Sequence, residues 1–190
     1  MKSYYLKKIY SKSQGFSLVE ILATIAISVL LLGTGIPAFR NYQKQNELIS
    51  DAENIKDMLI TTQNYALAPE FMKDALDNSY IFSINVIDNE VGIYRGICSD
   101  EGLIEELSQN DLVKKYKISN DISIATENFQ ESQNRKIVCY SILDQGKIIY
   151  PTVPPTDVKI ILDHSKINTF GSSQRIISLN LVTGFITITK

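Results

Sequence analysis

The sequence predicts an α+β protein in which a long, apolar N-terminal helix packs on a mainly antiparallel β-sheet head. Three observations carry that expectation. The 24 residues from Phe16 to Phe39 hold one charge, residues 40–68 keep a three- and four-residue apolar beat, and the chain after Pro69 breaks into short β-branched and aromatic runs between polar turns.

Composition sets outer limits. The 190 residues include 19 Lys+Arg against 21 Asp+Glu, for a formal net charge of −2, with 44% hydrophobic and 21% charged residues. This is an ordinary globular balance for one or at most two domains. Aromatic content of 9%, five prolines and nine glycines exclude a collagen-like or low-complexity chain, and the near-neutral charge leaves no sequence-wide nucleic-acid footprint. One histidine and two cysteines are too few for a structural zinc site and leave little material for a nucleophile–base pair. No cofactor is expected.

The first element is a basic leader, MKSYYLKKIYSKSQG, with Lys2, Lys7, Lys8 and Lys12 and no acid. The second runs from Phe16 to Phe39, FSLVEILATIAISVLLLGTGIPAF, where Glu20 is the sole charge. As helix it would be about 36 Å long, enough to cross a hydrocarbon core of roughly 30 Å. Lysines before the span and the mixed Arg40, Lys44, Glu47, Asp51 and Glu53 after it favour a cytoplasmic N-terminus, with the remainder extracytoplasmic. A cleaved signal peptide is the competing reading. Its apolar core is normally 7–15 residues and ends at a small-x-small site, and Ile36-Pro37-Ala38 is a poor one.

Glu20 requires a partner, because a carboxylate in a spanning segment costs a few kcal/mol even on lenient insertion scales. Either it lies near enough to the segment's end to reach the headgroups, or a cation arrives from another chain. The nearest cation before it is Lys12, and none follows until Arg40.

Gly15-Phe16-Ser17-Leu18-Val19-Glu20, between a basic leader and an uninterrupted apolar run, resembles the cleavage and methylation site of type IV prepilins and type II secretion pseudopilins. The resemblance implies that a prepilin peptidase cuts between Gly15 and Phe16 and N-methylates Phe16, and that Glu20 serves assembly. Residues 1–15 would then be removed. Pro37 sits where many pilins bend, and with Gly33 and Gly35 it marks a stretch prone to local extension during fibre assembly. In an ordinary membrane helix the same residues would serve packing or kinking. The implied partners are the peptidase, other pilin subunits, a pilus assembly platform and, before assembly, the membrane. Without the leader's four lysines the chain keeps 15 Lys+Arg against 21 Asp+Glu, a charge of −6.

From Arg40 the helix becomes amphipathic, with Leu48, Ile49, Ala52, Ile55, Met58, Leu59, Thr62, Tyr65 and Ala66 forming one stripe to about Ala68. The expected shape is a stalk whose stripe packs against the head at 70–190. Expected strands are Tyr80–Ile87 and Val91–Ile97 around an Asp88-Asn89-Glu90 turn, then Ile122–Ala125, Lys136–Ile142, Lys147–Ile149, Val158–Leu162, Ile176–Val182 and Phe185–Thr189. Thr183-Gly184 turns a final hairpin. Gly102–Lys117 reads equally as short helix or extended chain, and Pro151, Pro154 and Pro155 mark a loop. The several strands and the closing Leu-Val-Thr-Gly hairpin look more like minor pseudopilins of the GspH/FimT type than like compact major subunits.

Cys98 and Cys139 both fall on or beside expected strands, and an extracytoplasmic head permits a disulfide between them. Two free cysteines acting as small core residues are the alternative. His164 reads as a loop histidine, since Asp163-His164-Ser165 cannot converge as a triad. Asp100-Glu101 and Glu105-Glu106 lack calcium-loop spacing. Lys114-Lys115-Tyr116-Lys117 is the densest basic patch and offers weak support for DNA contact. The expected function is that of a non-enzymatic fibre subunit, a minor pilin. The alternatives are a type II secretion or competence pseudopilin and a membrane-anchored binding module that never polymerises.

Overall fold

The computed structural model describes residues 15–68, 79–98, 111–132, 134–143, 146–149, 156–167 and 173–190. The leader up to residue 14, the helix stop at Pro69, the acidic pairs at 100–101 and 105–106, the ambiguous stretch up to residue 110 and the proline loop at 151–155 lie outside the described residues.

Helix α1 spans Leu18–Leu67 and runs through Gly33, Gly35 and Pro37 without interruption. The chain divides into two compact units between Arg40 and Asn41, so α1 contributes to both. In the first unit the large apolar side chains are exposed, from Phe16 (83%) and Leu30 (71%) to Phe39 (60%).

In the second unit the helix buries Leu48, Asp51, Ala52, Ile55, Met58, Leu59, Thr62 and Ala66, the expected stripe with one carboxylate added and with Ile49 and Tyr65 only half-buried. Two antiparallel sheets receive it. The first comprises β1 (Ser79–Asn85), β2 (Glu90–Gly96), β3 (Leu112–Lys117), β5 (Gln130–Ser132), β6 (Arg135–Ser141) and β7 (Ile148–Ile149). Their order is β3-β2-β1-β6-β5, with β7 also paired to β6. The second sheet comprises β4 (Ile122–Glu127), β8 (Asp157–His164), β9 (Gln174–Asn180) and β10 (Ile186–Thr189), in the order β10-β9-β8-β4.

Alternation along the strands decides what faces the helix. Tyr80, Phe82, Ile84, Val91, Ile93, Val138 and Tyr140 from the first sheet join Ile122, Ile124, Val158, Ile160, Leu162, Ile177 and Leu179 from the second in one core with the helix stripe. Truncating a fully buried member such as Ile55 costs about 2–5 kcal/mol. The opposite face of the first sheet carries a smaller cluster of Ile81, Tyr94, Cys98, Ile137 and Cys139. Cys98 and Cys139 are joined there as a disulfide, 41 residues apart in sequence.

Several expectations change in detail. Residues 112–117 form strand β3 rather than helix, with Tyr116 turned to the core side and Lys115 and Lys117 outward and exposed. β5 was not foreseen, because Gln-Glu-Ser has no apolar pattern and is held by pairing to Ile137, Lys136 and Arg135. His164 is not a loop residue. The inward alternation of Val158, Ile160 and Leu162 continues one step further, so His164 ends β8 with its side chain fully buried. The closing hairpin forms with Ile186 opposite Leu179, and Gly184 takes φ +69° in its turn.

Candidate functional site

The N-terminal segment builds a self-contained cap. Ser17 lies just before the helix, and its N–H donates to Glu20 Oε2 at 2.9 Å while the Glu20 N–H donates to Ser17 Oγ at 3.3 Å. This is the reciprocal Ser-x-x-Glu capping box, which satisfies two backbone donors at a helix start and places a carboxylate where the helix dipole favours negative charge. The pattern was legible in Ser17-Leu18-Val19-Glu20.

The rest of the apolar half hides its polar groups in the same way. Thr24 Oγ1 donates to the Ile21 carbonyl at 2.8 Å, Ser28 Oγ to Thr24 O at 2.7 Å, and Thr34 Oγ1 is shared between Leu30 O and Leu31 O at 3.3 Å each. Back-bonding of this kind suits a segment that leaves water, since every hydroxyl carries its own acceptor with it. By length and composition the helix can cross a membrane. Gly15 precedes the cap in non-helical backbone, and a side chain added at Gly15, Gly33 or Gly35 would meet nothing within 4 Å.

In the second unit the helix is tied to the sheets by polar contacts that sequence reasoning missed. Buried Asp51 accepts the Tyr116 phenol at 2.5 Å and the Ser119 N–H at 3.0 Å, and Asn54 donates to the same phenol oxygen at 3.0 Å. Burial, together with the adjoining Asp51 carboxylate, pushes the Tyr116 hydroxyl up to about 12. The signal was a lone acid inside an apolar stripe, which needs a donor to remain there. Toward the N-terminal end of this half, Lys44 Nζ donates to Lys166 O at 2.6 Å, and Lys166 pairs with Asp121 at 2.7 Å, which holds the Asp121 carboxyl below its ordinary range. His164 Nδ1 accepts from the Lys166 N–H at 3.2 Å, and its Nε2 lies 3.7 Å from the Glu47 carboxylate.

The lysine-rich patch is partly neutralised. Lys115 pairs with Glu90 at 2.6 Å beside a cleft of about 340 Å³ lined by Asp88, Glu90, Tyr94, Leu112, Lys115, Lys117 and Arg135. Arg135 donates to the Tyr94 hydroxyl at 2.6 Å and lies over its ring. Mixed charge of this kind is a weak nucleic-acid surface.

Comparison with known families matches residues 10–36 to the prokaryotic N-terminal methylation motif. Comparison with curated proteins finds no match. Among solved structures, the chain is similar to two structures of the minor pseudopilin EpsH from the type 2 secretion system of Vibrio cholerae. One shares 10% identity over 75% of this chain and 96% of that one, with a TM-score of 0.48. The other shares 9% identity over 76% and 96%, with a TM-score of 0.47. The matched methylation motif thus spans the Ser17–Glu20 cap and leads into the apolar half of α1.

Proposed function

We propose that the chain is a minor subunit of a type IV pilus or pilus-like fibre, cut by prepilin peptidase between Gly15 and Phe16, N-methylated on Phe16 and assembled through the apolar half of α1. The proposed parts are the leader at 1–15, the membrane or fibre-core half at 16–39, the amphipathic half at 40–68 and the head at 70–190. The subunit waits in the cytoplasmic membrane with its N-terminus inside and moves to an extracytoplasmic fibre with other pilin subunits on an assembly platform.

The Ser17–Glu20 capping box at the head of a helix whose hydroxyls bond internally is the observation that carries this reading. Cleavage would create an α-amine at Phe16, with an ordinary pKa near 8, and methylation keeps it basic. Glu20 uses Oε2 for its own cap, so Oε1 is left to meet that amine on a neighbouring subunit. Two unit charges about 4 Å apart attract by roughly 4 kcal/mol in an effective dielectric near 20, and desolvation offsets part of this. The pair then acts as a register device, since any other stagger leaves Glu20 with its cap alone. Gly33, Gly35 and Pro37 supply the stretch that adjusts during packing.

Mass spectrometry of the N-terminus tests the reading. A mature chain beginning at methylated Phe16 supports it, whereas an intact Met1 leader supports a permanently anchored binding module. Glu20→Ala should be processed normally yet be depleted from sheared fibres, and wild-type incorporation would refute the assembly role.

A further inference from the structure

The second sheet ends on β10, which pairs with β9 on one side only. Its hydrogen-bond phase is fixed by the Asn180 N–H, which donates to Phe185 O at 2.9 Å. Given the register, Thr187/Ser178 and Thr189/Ile176 are the next bonded pairs. The N–H and C=O of Ile186 and Ile188 therefore point away from β9, and among the described residues nothing bonds that side.

Bare edges of this kind invite pairing, and the outer strands β3 and β4 are protected against it. β3 carries Lys114, Lys115 and Lys117. β4 carries Glu127, and the carbonyl of its first residue, Ile122, accepts from Asn89 Nδ2 at 3.0 Å. By contrast, Leu181 to Thr189 contains no charge, and Val182 and Phe185 beside the edge are 79% and 69% exposed.

We propose that β10 pairs with β10 of a second copy of this chain, antiparallel about a two-fold axis at Thr187, joining two four-stranded sheets into one of eight strands. The edge is self-complementary. Ile186 of one copy falls opposite Ile188 of the other, and these are the residues whose peptide groups are free, so four backbone hydrogen bonds form. Thr187 faces its own counterpart in the close, non-bonded position, with Cα atoms about 4.5 Å apart, and Phe185 faces Thr189. With no charge on the edge, self-pairing meets no repulsion, whereas the same operation on β3 sets lysines against lysines. The pairing rests on the second sheet alone and is independent of the fibre reading.

Cysteine cross-linking of the full chain in detergent or native membranes tests the register. Thr187→Cys should give a covalent dimer under mild oxidation at least tenfold faster than Thr189→Cys, because two copies of residue 189 are about 14 Å apart at 3.4 Å per residue. Mixing Phe185→Cys chains with Thr189→Cys chains should favour the mixed dimer over either homodimer. These positions are on the exposed side of the hairpin, and folding of each reduced variant is checked by its circular dichroism and its denaturant midpoint against wild type. Equal rates at residues 187 and 189, or no dimer at 187 in folded protein, overturns the proposal.

Discussion

The Asp51 carboxylate on α1 accepts a 2.5 Å hydrogen bond from the Tyr116 phenol on β3, joining the helix to an outer strand of the first sheet across 65 residues of sequence. The same carboxylate holds the Ser119 N–H as the chain leaves β3 for β4, so one buried acid fixes the helix, the strand and the crossing between the two sheets. Hydrogen bonds to a buried charge contribute about 1.5–3 kcal/mol each. Asp51→Ala should therefore destabilise the head by about 3 kcal/mol and Tyr116→Phe by about 1.5 kcal/mol. Denaturant unfolding of the detergent-solubilised chain, followed by tyrosine fluorescence, measures both, and the double variant should be less destabilised than their sum.

The same contact gives a pH dependence with a defined sign. The Tyr116 hydroxyl is held up to about 12 against an ordinary value near 10, because burial and Asp51 both disfavour the phenolate. Its contribution to stability is fully present below about pH 10 and is lost as pH rises through 12. A difference titration of wild type against Tyr116→Phe at the phenolate absorbance should show one late-ionising tyrosine. Alkaline unfolding of the variant should begin at a different pH from wild type.

At the N-terminus, cap and charge can be separated. Glutamine also serves at the third position of a capping box, so Glu20→Gln should keep slow amide exchange at Ser17 while incorporation into fibres falls. Ser17→Ala should lose about 1 kcal/mol of local stability and speed exchange at the Glu20 amide about fivefold. Hydrogen exchange in detergent read alongside fibre yield distinguishes the two roles.

The hairpin glycine tests the β9–β10 turn. At φ +69°, a side chain at position 184 is strained by about 1–2 kcal/mol, and its Cβ would approach Gln63 Nε2 to 2.6 Å. Gln63 is flexible and yields, so Gly184→Ala should lose about 1–2 kcal/mol with no recovery on adding Gln63→Ala. Gly184→Asn should lose less, since asparagine tolerates the left-handed region. Thermal unfolding of the three variants measures this.

Much of the fold was readable because periodicity and burial coincide. The helix stripe from Leu48 to Ala66 and the alternation of Val158, Ile160 and Leu162 state their own inward faces. β3 was not readable, because Val113-Lys114-Lys115-Tyr116-Lys117 has no apolar alternation and owes its place to pairing with β2 and to Asp51. The polarity of His164 suggests a loop, but its position two residues beyond Leu162 puts it on the buried face of β8. At the N-terminus, Glu20 stood out as a lone charge, yet its local partner Ser17 is a commonplace residue whose role appears only when the helix start is located. Asp51 shows the limit most clearly, since its partner lies 65 residues away and no local pattern announces it.

The disulfide has a mechanical consequence. From Cys98 the chain passes through β3 at the border of one sheet, crosses to β4 at the border of the other and returns through β5 to Cys139. The bond closes this path into a covalent ring that includes strands of both sheets. If the chain is pulled from its two ends, the 41 residues spanned by the ring lie off the line of tension and about 140 Å of contour, at 3.3–3.6 Å per residue, is never paid out. Under load the oxidised head has a shorter reach than the reduced one, and β4 stays tethered to the first sheet after every hydrogen bond between its neighbours has failed.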